Sequence, residues 1–172
     1  MSVNLTKDIG DILEKGSHHY LENAQVLAYG LNDATMEAVQ QVCDRATESY
    51  AREILNRRFG TPDIFKVDTC DGKLKDLYDC IDHFIDCIRI LFETSPPYDL
   101  PIYPHAFIII DTEKVQSSET VTLVVAYEEN EEWKLGHCSV PVKAELGLTV
   151  ESLRMGDITE EDALGQFSDP QK

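Results

Sequence analysis

Positive charge is scarce in this chain, and long apolar runs are missing. Lysine and arginine number 15 against 32 aspartates and glutamates, a formal charge of −17. A surface of that sign repels phosphate backbones and anionic lipid, which argues against direct nucleic-acid binding and electrostatic membrane attachment. No stretch approaches the roughly 18 consecutive apolar residues of a spanning helix. The opening residues, MSVNLTKDIGDILEKG, hold no basic segment followed by an apolar run, so they do not read as a signal peptide. The expectation is a cytoplasmic protein, or a viral one working in a host cytosol. Five cysteines form no dense framework, and an odd count in such a chain reads as reduced thiols.

Recognisable catalytic motifs are absent as well. There is no G-x-G-x-x-G, P-loop, G-x-S-x-G, H-E-x-x-H or C-x-x-C, and no internal repeat or low-complexity tract. No cofactor is implied, and the balance points away from an enzyme. What is present suits a core: apolar residues make up 42% of 172, enough for one globular domain.

Helical spacing dominates residues 1–95. Leu5, Ile9, Ile12 and Leu13 predict a first helix ending near Gly16. Tyr20, Leu21, Ala24, Leu27 and Ala28 suggest a second, stopped near Gly30. A long helix with its N-cap at Asn32 or Asp33 follows to about Arg58. The segment TPDIFKVDTCDGK reads as a connector, and another helix runs from about Lys73 to Glu93. Four prolines in SPPYDLPIYP forbid helix over residues 95–104 and mark a stiff extended connector. Beyond it HAFIIIDTEKV, TVTLVVAYEE and EEWKLGHCSVPV read as three strands, with turns at QSSE and EENEE. Short helices close residues 105–166: one capped by Thr149, and one with a Thr159–Asp162 capping box. Residues 167–172 read as a frayed tail. Helices first and strands later predict an α+β fold, a helical half packed on an antiparallel sheet of three or more strands.

Three groups of residues are candidates for chemistry or contact. The first is Cys80, His83 and Cys87, which share one line along the helix over 73–93, at the border of its apolar face. At 1.5 Å rise per residue the two cysteines stand about 10.5 Å apart, too far to grip one zinc ion or to form a disulfide. A pair, Cys80 with His83 or His83 with Cys87, remains feasible as half a metal site; Cys70 is the nearest further ligand in sequence. The blander reading is that these cysteines act as small hydrophobes. His18–His19 makes a poor metal pair because successive helical residues diverge. His105 reads as structural, and His137 beside Cys138 is no dyad because neighbours on a strand face opposite ways.

The second group is the acidic hairpin tip. Glu128, Glu129, Glu131 and Glu132 flank Asn130, and Trp133, the only tryptophan, follows at once. Such a tip serves solubility and blunts edge pairing, or it enters a basic groove. Trp133 is an interface anchor if it faces out and core if it faces in. The third group is Tyr98 and Tyr103 on the proline-stiffened connector, a contact segment or a plain wrap of the domain.

The leading expectation is a non-enzymatic acidic module that covers a basic surface of a protein partner, as an inhibitor, immunity protein, antagonist or chaperone does. A DNA mimic is a special case. The alternatives are a small enzyme or ligand-binding domain with a pocket between helices and sheet, and a structural subunit of a larger assembly.

Overall fold

The computed structural model describes residues 2–16, 21–56 and 62–168. The chain order is β1 (Ser2–Asn4), α1 (Lys7–Gly16), β2 (Gln25–Gly30), α2 (Met36–Glu53), β3 (Phe65–Asp68), a single 3-10 turn at Cys70–Gly72, and α3 (Leu77–Thr94). Then come β4 (Ile102–Ile110), α4 (Thr112–Ser118), β5 (Thr120–Glu129), β6 (Glu132–Pro141), α5 (Ala144–Arg154) and α6 (Glu160–Gln166).

The fold is α+β, with six helices and one six-stranded mixed sheet among the described residues. Its strand order is β1-β6-β5-β4-β2-β3. Strands β2, β3 and β4 pair in parallel, whereas β4-β5, β5-β6 and β6-β1 are antiparallel. The antiparallel meander was therefore legible, and the parallel half was not. Residues 1–95 are not a helical half, since they supply β1, β2 and β3.

The second expected helix is strand β2. Its residues Val26 to Tyr29 are all buried because the strand is central and covered on both faces, so its apolar run carries no period to distinguish it from a buried helix. Phe65–Asp68, read as connector, is a four-residue edge strand beside β2. The segment after Ile110 turns into α4, whose N-cap is Asp111, rather than continuing the strand. Helix α2 is capped by Thr35, three residues after Asn32, and α3 begins after Asp76, whose side chain accepts from the Asp79 amide. The capping box of Thr159 and Asp162 is formed. Phe167 of the expected frayed tail packs against the core, while residues 169–172 lie outside the described residues, as do His18 and His19.

Side chains alternate across the sheet and sort the helices. Phe107 meets Phe84 of α3, and Trp133 meets Gly10 of α1, on one face. Gly30 abuts Val39 of α2 and Gly136 abuts Leu164 of α6 on the other, where α5 also packs against α2. The crossovers from β2 and β3 thus leave to opposite faces of the sheet. Gly147 of α5 is required by that packing: a Cβ there would lie 2.5 Å from the Tyr50 Cβ of α2. Among the described residues no helix is long and apolar enough to cross a membrane.

Candidate functional site

The β5–β6 hairpin stands at the amino-terminal end of β4. Its register runs unbroken to Glu129 opposite Glu132, which leaves a two-residue turn of Asn130 and Glu131. Both turn residues have positive φ, 54° and 64°. That is the geometry of a tight hairpin turn, in which glycine is favoured at the second position. Here a glutamate occupies it. Glu128, Glu129, Glu131 and Glu132 are all exposed, and two of them face each other across the strands. Like charges so placed are destabilising. Lys134 offsets one of them, with its ammonium 2.5 Å from Glu129.

Strand β1 lies along β6, and the Leu5 amide donates to the Trp133 carbonyl at 2.9 Å. This pairing brings the first turns of α1 beside the hairpin base. Between them opens a cavity of about 380 Å³ lined by Asn4 to Lys7, Gly10, Asp11, Glu131, Glu132 and Trp133. Three carboxylates line it against one lysine, and Lys7 is already paired with Asp11 at 2.9 Å.

Trp133 is half-buried, neither wholly in the core nor wholly exposed. Its indole stacks on the His105 ring, centroids 5.5 Å apart and 24° between planes. Gly10 lets it lie close to α1, since a Cβ there would come within 2.8 Å of the indole. His105 is itself fixed. Its Nε2–H donates to the Leu13 carbonyl at 3.0 Å, in the last turn of α1. Its Nδ1 stands 3.6 Å from Glu160. Burial pushes the His105 pKa below its usual value, against the opposing pull of Glu160.

Tyr103 is not a surface contact. It is only 5% exposed, and its hydroxyl donates toward Glu160 at 3.0 Å. The proline segment ends sooner than its composition suggests, because β4 has already begun at Ile102 and draws Tyr103 into the core. Burial raises its phenol pKa well above the ordinary range. Tyr98 is 70% exposed and stands apart from the hairpin cavity. The two tyrosines therefore present no common surface.

The line of Cys80, His83 and Cys87 divides. Cys80 turns wholly into the core, and burial pushes its thiol up to about 12. His83 and Cys87 are half-buried and meet residues that sequence spacing did not bring to them. The parallel register sets Asp68 of β3 beside Tyr29 of β2, and α3 lays His83 over both. The Tyr29 hydroxyl is 2.9 Å from His83 Nδ1, and Cys87 Sγ is 3.6 Å from the same nitrogen. Asp68 Oδ1 accepts from the Cys70 amide at 2.8 Å and from its thiol at 3.3 Å. Burial first, then Asp68, pushes the Cys70 thiol up to about 12, so it is no ready nucleophile. Cys138 is buried and its thiol is raised to about 11 by burial, while His137 beside it is exposed.

The sequence held signals for part of this. Asn130 amid acids announced the turn, and D-T-C-D-G announced a tight loop. Nothing local announced that Asp11 would line one cavity with Glu131, or that Asp68 would face His83. Comparison with family models, curated proteins and solved structures gives no match for this chain.

Proposed function

We propose that this protein is an acidic binding module that receives a basic segment of a protein partner at the hairpin end of its sheet. The observation that carries the reading is the cavity of about 380 Å³ between α1 and the hairpin, where Asp11, Glu131 and Glu132 surround Trp133. An arginine or lysine side chain suits such a space: its stem packs on an aromatic surface, and its charge meets carboxylates. The rigid backing of Trp133 by His105 and Gly10 means that little order need be gained on binding. The overall charge of −17 steers a cationic partner toward the protein and disfavours anionic competitors.

Trp133, the only tryptophan, makes the test direct. The full chain is titrated with an arginine-rich peptide and with its glutamine counterpart, and emission is followed at about 50 and about 300 mM salt. The arginine peptide should change the emission, more weakly at high salt because the screening length shrinks. Glu131→Gln with Glu132→Gln should remove the response, whereas Glu145→Gln with Glu161→Gln, on α5 and α6, should leave it. An arginine response equal to the glutamine one, or equal in both double variants, overturns the reading.

A further inference from the structure

At the opposite end of the sheet lies a second, chemically different group. Asp68, Cys70 and His83 each offer one ligand atom, and the three atoms lie within 4.8 Å of one another. His83 Nε2 is 3.9 Å from Asp68 Oδ2, and Cys70 Sγ is 3.3 Å from Asp68 Oδ1. Zinc bonds of about 2.0–2.3 Å in a tetrahedron place neighbouring ligand atoms roughly 3.3–3.8 Å apart. The three atoms therefore need only about 1 Å of closure at the widest edge. All three residues are half-buried.

We propose that Asp68, Cys70 and His83 form a binding site for a zinc-class divalent ion. The donor set is one carboxylate oxygen, one sulfur and one imidazole nitrogen, a mixture that suits a borderline metal and not calcium or magnesium. Aspartate and thiolate together offset the two charges of the ion, and the thiol proton leaves to solvent as the sulfur binds.

The surroundings are built as metal sites are built. Tyr29 is fully buried and holds His83 by its Nδ1 at 2.9 Å, with the two rings edge to face at 87°. With Nδ1–H donating to the phenol oxygen, the Nε2 lone pair is presented to Asp68 and Cys70. Such an outer hydrogen bond is what fixes the ring of a ligating histidine. The Cys70 amide locks Asp68 through Oδ1. Cys70 and Asp71 are both left-handed, at φ 48° and 53°, a conformation uncommon outside glycine. The local chain thus accepts strain in the loop that carries the sulfur. The location also fits. These residues sit at the carboxyl ends of β2 and β3, whose crossover helices lie on opposite faces, the usual place for ligands in sheets with parallel strands. Three protein ligands leave one position for water or a further ligand, the form taken by open zinc sites.

The test uses the full chain, stripped with chelator and titrated with cobalt(II), whose bond to a thiolate gives a near-ultraviolet charge-transfer band, and then with zinc(II). One equivalent of cobalt should produce the band, and zinc should displace it. Cys70→Ser should abolish the band, Asp68→Asn should weaken cobalt binding sharply, and Cys138→Ser should change neither. Tyr29→Phe should keep the band and lower affinity by about 10–100-fold. Circular dichroism confirms the fold of each variant, and any variant that fails to fold is replaced in the comparison by the Tyr29→Phe affinity. Cobalt held by surface carboxylates or by His18–His19 gives no sulfur band, so stoichiometric binding without it overturns the proposal. A band that survives Cys70→Ser, or Tyr29→Phe affinity equal to the original, overturns it equally.

Discussion

His105 is the residue on which the hairpin site leans, and its replacement by phenylalanine has a worked consequence. Phenylalanine keeps a flat ring against Trp133 and loses the bond to the Leu13 carbonyl, which His105 makes at 3.0 Å in a buried setting. Loss of one such hydrogen bond costs about 0.5–1.5 kcal/mol. His105→Phe should therefore lower stability by about that amount at pH 7.5. The deficit should then shrink in acid. Burial holds the folded pKa of His105 below 6.5, even with Glu160 and Glu14 pulling the other way. As pH falls below 6.5 the unfolded chain takes up the proton first, so the stability that this histidine contributes is full above that value and is lost below it. At pH 5.5 the loss is at most about 1.4 kcal/mol, the value reached if the folded pKa lies well below 5.5. The phenylalanine variant has no such loss. The assay is urea denaturation of both proteins at pH 7.5 and 5.5, followed by circular dichroism, with the carboxylates common to both chains cancelling in the difference. A gap that stays level or widens in acid would mean an imidazolium held by Glu160, and the argument from burial would fail.

Two further substitutions test the packing and the turn. Gly147→Ala places a methyl group 2.5 Å from the Tyr50 Cβ, so α5 must move off α2. The expected cost is about 1–3 kcal/mol. For a chain of this size that is a fall of roughly 2–4 °C in Tm per kcal/mol; a variant melting at or above the parent contradicts the close approach. Glu131→Gly removes a side chain from a left-handed position at φ 64° and removes one of the acids that line the cavity. It should raise stability by up to about 1 kcal/mol and weaken the arginine-peptide response of Trp133. Gain of stability with an undiminished response would separate Glu131 from binding.

The parts of the fold that were legible in the sequence are those whose information is local. The β5–β6 hairpin follows from alternation and a turn residue within twenty-two positions, and its register fell where the turn required it. The cap of α6 was written within three residues of its helix, whereas Asp76, the cap of α3, lay inside the helix expected from Lys73. Strand β2 was not legible, because Val26 to Tyr29 are buried on both sides and a run of apolar residues has no period to read. Strand β3 is short and begins at Phe65, close behind Pro62, so its composition resembles a loop. Both exist because they pair with partners distant in sequence: β2 with β4, some eighty residues later, and β3 with β2. Each candidate site inherits this difference. The glutamates and Trp133 were visible as a stretch, while the Asp68–Cys70–His83 group needed the parallel register to exist at all.

The hairpin end shows where the sequence works against its own local stability. Glu129 opposes Glu132, and Glu131 takes a backbone conformation that suits glycine. Lys134 relieves only one of these charges. Solubility does not require this arrangement, because a chain with a formal charge of −17 is already strongly self-repelling. The tip also lies beyond its neighbouring strands, since β1 pairs only with residues 134–136 of β6 and β4 only with residues 122–125 of β5, so its charges also guard an open end of the sheet. The same acids line the cavity beside Trp133, and the basic segment proposed above would relieve their mutual repulsion. A local cost concentrated at one concave place is the pattern expected of a functional site, and the salt-dependent response of Trp133 to an arginine peptide tests whether this is one.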